Sequence, residues 1–93
     1  MLEVLHAYGI QAQRNDQTYV GGKGNPDISA QIRGKACHVE VKRVERLNIY
    51  AAMQQAINDC DWIHMPVVIH RKNRGEWLVT LGLEDFIGNE VEE

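Results

Sequence analysis

Residues 27–42 read Asp-Ile-Ser-Ala-Gln-Ile-Arg-Gly-Lys-Ala-Cys-His-Val-Glu-Val-Lys, and this stretch decides the fold. Asp27, Ser29, Gln31 and Arg33 alternate with Ile28, Ala30 and Ile32, and His38, Glu40 and Lys42 alternate with Cys37, Val39 and Val41. Alternation of period two is the signature of a strand with one buried face, so strands are predicted over 27–33 and 36–42. Gly34-Lys35 joins them, and Gly at the first central position of a two-residue loop predicts a type II′ hairpin. Pairing Arg33 with Ala36 then sets Asp27 opposite Lys42 and Ser29 opposite Glu40. Asp27, Glu40 and Lys42 thus share one face, with Asp27 diagonal to Glu40 at roughly 7–8 Å, within joint reach of two carboxylates.

Upstream, Leu2 to Tyr8 predicts a helix stopped by Gly9, followed by a short strand from Ile10 to Gln13. Gly21, Gly22, Gly24, Asn25 and Pro26 mark a loop across 18–26. Downstream, Asn48 is a good N-cap for a helix whose apolar stripe is Ile49, Met53, Ala56, Ile57 and Cys60. Pro66 ends that helical region, Val67 to Ile69 forms a strand, and Arg71 to Gly75 is a basic turn. Trp77 to Leu81 predicts another strand and Leu83 to Ile87 a final short helix. Helices interleaved with strands in this order imply an α/β sandwich with a central mixed β-sheet flanked by helices. The 93 residues hold no repeat and no interdomain linker, and make one domain, 1–93.

The net charge is −3, but it is unevenly spread. All ten Lys and Arg lie between Arg14 and Arg74 with six acids, a formal balance of +4, while Glu84, Asp85, Glu90, Glu92 and Glu93 make the C-terminal end acidic. Such a basic middle can hold a phosphate backbone, or be an ordinary solvated surface of mixed charge. No apolar run has the length of a membrane span and no signal sequence is present, so the expected compartment is the cytoplasm. Cys37 and Cys60 are not spaced as a metal-binding pair and read as small buried hydrophobes.

Two carboxylates converging from adjacent strands make an oxygen-rich site for Mg²⁺, which typically takes one or two carboxylates plus waters and phosphate oxygens. A lysine beside it orients water and balances phosphate charge, and together these are the requirements of phosphodiester hydrolysis. The plain alternative is a surface ion pair between Asp27 and Lys42, worth ~0–1 kcal/mol. Arg71, Lys72 and Arg74 beside Trp77, together with Arg43, are candidates for gripping a DNA backbone, or else a solvated hairpin tip. Gly22 and Lys23 let their loop approach a phosphate, or simply turn the chain. His38 shares the Glu40 face, as a phosphate contact or merely as the polar side of a strand.

The residues Gly24-Asn25-Pro26-Asp27, Val39-Glu40-Val41-Lys42 and Gln55-Ala56 resemble the PD-(D/E)xK nuclease superfamily. Within it, Glu40 to Glu45, Asn48 to Tyr50, His70 to Arg74 and Trp77 to Thr80 are similar to archaeal-type Holliday junction resolvases and their small phage-borne relatives. The resemblance covers most of the chain and implies a restriction-endonuclease-like fold. It implies that Asp27, Glu40 and the Val41 carbonyl bind Mg²⁺ or Mn²⁺, that Lys42 positions the attacking water, and that Gln55 is the polar helix residue shaping the site. Helical spacing alone puts Gln55 at the edge of the apolar stripe, where it is equally a solvated flank. Relatives usually carry a Glu in the first helix, upstream of the position where this chain begins; Glu3 lies too close to Gly9 to match it. The implied activity is Mg²⁺-dependent cleavage of branched DNA by a homodimer. The alternatives are a general phage or repair endonuclease on flap or duplex DNA, and a catalytically silent DNA-binding module. Trp62, Ile63 and Met65 are candidates for the dimer interface, or else cap the monomer core before Pro66.

Overall fold

A computed structural model of the chain describes residues 1–15 and 28–88. The elements are α1 (Leu2–Ala7), β1 (Gln11–Arg14), β2 (Ile28–Ile32), β3 (Lys35–Arg43), α2 (Ile49–Asp59), β4 (Met65–Arg71), β5 (Leu78–Thr80) and α3 (Leu83–Ile87). The fold is α/β, with one five-stranded mixed sheet in the order β1-β2-β3-β4-β5, flanked by helices. β3 and β4 are parallel and every other pair is antiparallel. Parallel neighbours need a crossover, and α2 supplies it. Among the described residues, no helix is long and apolar enough to cross a membrane.

The alternating residues of 28–43 separate onto two faces. Ile28, Ala30, Cys37 and Val39 join Val67, Ile69 and Leu5 of α1 in one buried cluster. On the opposite face Val68 packs against Ala52 and Ala56 of α2, with Leu47, Ile49 and Met53 at its margin. Two alanines one turn apart let the helix lie close to the sheet. The buried stripe of α2 is therefore Ile49, Ala52, Met53 and Ala56, one helical step from the stripe expected. Ile57 sits about 100° further round the helix and is half exposed, and Cys60 lies beyond the last turn.

The hairpin differs from the expectation. Ile32 pairs with Lys35, so the two loop residues are Arg33 and Gly34, at φ +53° and +79°. Left-handed backbone at both positions is the type I′ turn, not type II′. Ser29 consequently faces His38 and not Glu40. The register differs by two residues, and a shift of two leaves each side chain on its own face. The hydrophobic pattern therefore cannot distinguish the two registers, and only the turn does.

Asn48 caps α2 as its sequence position indicates, its side-chain oxygen accepting the Ala51 N–H at 3.1 Å. Asn48→Ala is expected to cost about 1 kcal/mol. In a domain of this size that lowers Tm by roughly 4–8 °C, measurable by thermal circular dichroism, whereas Asn48→Asp should keep most of the cap. Past the helix, Asp61 Oδ1 accepts from the backbone N–H of Ile63 and His64 at 3.0 Å each, and lies 2.8 Å from His64 Nδ1. These hydrogen bonds, led by the His64 side chain, hold the Asp61 carboxyl below its usual pKa. They also turn the chain back towards β4 and leave Trp62 and Ile63 outside the core, 91 % and 59 % exposed, while Met65 packs against it.

Candidate functional site

β3 is the middle strand of the sheet, paired on both sides, and its even-numbered residues point towards α2. His38 and Glu40 are buried there, retaining 7 % and 4 % of their exposure, with His38 Nε2 3.3 Å from Glu40 Oε2. A buried carboxylate is costly without polar partners, so the imidazole answers a requirement that burial creates. Lys42 continues the row and is half-buried. Its Nζ donates to Gln55 Oε1 of α2 at 3.1 Å. The helix therefore turns its stripe edge towards β3, which helical spacing alone left undecided for Gln55.

The row extends across the sheet on both sides. Ser29, opposite His38, donates its hydroxyl to Asn15 Oδ1 at 3.2 Å. Beyond it Gln11, Gln13, Ser29 and Gln31, with Ala36 and His64, line an open polar cleft of about 330 Å³. On the other side His70 is the parallel partner of Lys42, and its Nε2 lies 2.9 Å from Thr80 Oγ1. The contact of His70 with Thr80 and the polar surface of β1 and β2 lie outside the candidate residues that the sequence singles out. The Gln-Ala-Gln alternation at 11–13 is the signal for that surface. The His70 contact requires the β4–β5 register, which no local pattern carries.

Asp27 lies outside the described residues, as do Gly22 and Lys23. Val41 is on β3 with its side chain against the hydrophobic cluster. Arg43 and Arg71 are parallel partners one residue beyond Lys42 and His70, so alternation turns both to the face away from Glu40. The Arg71 guanidinium lies 5.1 Å from the centre of the Trp77 ring, a cation–π distance. Its Nε is buried with no hydrogen-bond partner among the described residues. Arg43 and Lys72 line a shallow groove of about 460 Å³ with Val44, Glu45 and Asn73, where Glu45 accepts the Asn73 N–H at 2.7 Å. Arg74 is exposed in the following turn at φ +64°. The structure thus brings Glu40, Lys42 and Gln55 together and gathers the basic residues at the ends of β3 and β4.

Glu40 supplies carboxylate oxygen and His38 a ring nitrogen, so the donor set suits a divalent cation. Among the described residues, no group of three or more His, Cys, Asp or Glu is arranged to hold a metal ion. Cys37 is buried on the opposite face, and burial raises its thiol pKa, which keeps it a neutral core residue. Comparison with family models, curated proteins and solved structures finds no match to this chain.

Proposed function

We propose that this chain is a metal-dependent endonuclease of the PD-(D/E)xK type that hydrolyses DNA phosphodiester bonds in the cytoplasm. The preferred substrate is a branched junction. The observation that carries the reading is the Lys42–Gln55 hydrogen bond at 3.1 Å on the same face as Glu40, since it unites three of the four expected catalytic residues. The run of elements from α1 to β4, with antiparallel β1-β2-β3 and a helical crossover to parallel β4, supports a restriction-endonuclease-like sandwich.

In this reading Asp27, Glu40 and the Val41 carbonyl hold Mg²⁺ or Mn²⁺. Chain connectivity ties Asp27 to Ile28, whose strand partner Val39 precedes Glu40. The bound cation would supply Lewis-acid stabilisation of phosphate charge and a more acidic water. Lys42 offers its remaining ammonium protons to the attacking water or a phosphate oxygen. Gln55 fixes the direction of that ammonium, and the packing of Ala52 and Ala56 against Val68 of β4, the parallel neighbour of β3, holds α2 in place to do so. The groove bearing Arg43 and Lys72 at the ends of β3 and β4, with Arg74 exposed beside it, is the proposed DNA backbone contact; Arg43 faces away from Glu40, so a strand held there reaches the candidate site around the ends of β3 and β4. A homodimer places two such sites on two strands of a junction, and Trp62 and Ile63 are among the exposed apolar residues that would join the copies, beside others such as Leu83, Phe86 and Ile87.

The test is cleavage of four-way junction, flap and duplex DNA without metal, with Mg²⁺ and with Mn²⁺, with light scattering on the same sample. Metal-dependent, paired nicks on the junction by a dimer are expected. Equal cutting of duplex and junction by a monomer would remove the junction preference and leave the chemistry. No metal-dependent cutting of any substrate would remove the nuclease.

A further inference from the structure

We infer that His38 Nε2 is a direct ligand of the cation held by Glu40, and that the site therefore takes Mn²⁺, or another borderline transition cation, in preference to Mg²⁺. The inference rests on the metal-dependent reading above. Residues i and i+2 of a strand point to the same side, so His38-Val39-Glu40 presents one imidazole nitrogen and one carboxylate oxygen side by side. The two atoms are 3.3 Å apart. Two neighbouring donors with bonds of about 2.1 Å at a right angle around one cation stand about 3 Å apart, so the pair spans nearly the edge of a coordination polyhedron. Both side chains are more than nine-tenths buried, on a strand paired along both edges, which removes the freedom that weakens a surface chelate. Ligand chemistry then sets the metal. An all-oxygen site suits Mg²⁺, whereas a neutral imidazole shifts preference towards transition metals. His38 also adds a neutral donor, so the ligand count rises without adding charge to a buried site.

The competing account is a hydrogen bond alone, the imidazole serving only to satisfy the buried Glu40. Pulsed EPR on Mn²⁺ bound to the whole protein separates the two, because a directly bound nitrogen gives a hyperfine coupling that changes when histidine is labelled with ¹⁵N. This measurement is made on the unaltered chain and does not depend on how any variant folds. Calorimetric titration of Mn²⁺ and Mg²⁺ into the chain and into His38→Ala, with folding checked by circular dichroism, is the second arm. The expected result is a nitrogen coupling that disappears in His38→Ala, with Mn²⁺ affinity at least about tenfold lower and Mg²⁺ affinity unchanged. Bound Mn²⁺ without nitrogen coupling, or no Mn²⁺ binding, overturns the inference. The cleavage assay judges the nuclease reading separately. Cutting with Mg²⁺ by a chain lacking the coupling leaves that reading in place, and a coupled Mn²⁺ in a chain that cuts nothing supports the ligand while removing the nuclease.

Discussion

Glu40→Gln is expected to abolish metal-dependent DNA cleavage while the protein stays folded. The amide matches the carboxylate in size and keeps hydrogen-bonding atoms beside His38, so the buried position remains filled and polar. It lacks the negative charge needed to hold a divalent cation. If the metal contributes about 4 kcal/mol of charge stabilisation in the transition state, its loss corresponds to roughly a thousandfold in rate. Single-turnover cleavage at fixed Mg²⁺, beside a circular dichroism spectrum and a thermal melt, makes the measurement. Asp27→Asn should behave in the same way. Cleavage by Glu40→Gln within a few-fold of the unaltered chain would show that this carboxylate holds no catalytic metal, and the proposed function would fall.

Lys42→Ala is expected to leave cation affinity intact and to lower kcat by about a hundredfold or more, the scale seen when one charge-stabilising donor is removed. The ammonium is assigned to water and phosphate, not to the metal, so calorimetry and turnover should separate. Gln55→Ala should have a smaller effect in the same direction, because Gln55 acts through the 3.1 Å bond that aims Lys42. In the double variant, Gln55→Ala should add nothing to the loss already caused by Lys42→Ala. If Lys42→Ala both binds metal and cuts as before, the lysine is only a hydrogen-bonding partner of the helix.

Much of this arrangement was legible in the residues. The period-two pattern of 28–43 defines two strands and assigns His38, Glu40 and Lys42 to one face, and Asn48 marks where the crossover helix starts. The hairpin register was not legible, because a shift of two residues exchanges one apolar partner for another of the same kind. Arg33 in a left-handed conformation is hidden as well, since of the loop residues only Gly34 takes a positive φ without steric cost. The contact between Lys42 and Gln55 joins residues separated by a helix entry. Spacing along α2 left Gln55 on a boundary, and only the seating of Ala52 and Ala56 on Val68 turns it inward. The same alternation that identified the Glu40 face sends Arg43 to the other one.

The placement of β3 between two partners has a consequence for exchange with solvent. Amides locked into a ladder on both sides become accessible only when a large part of the domain opens, whereas among the described residues the three-residue edge strand β5 has a ladder on one side alone. Backbone amides at 37–41 should therefore be among the last to take up deuterium, and those of 78–80 among the first within the sheet. A strand that opens so seldom carries the candidate side chains through ordinary local fluctuations without displacing them. Motion needed to admit a substrate then has to come from the periphery.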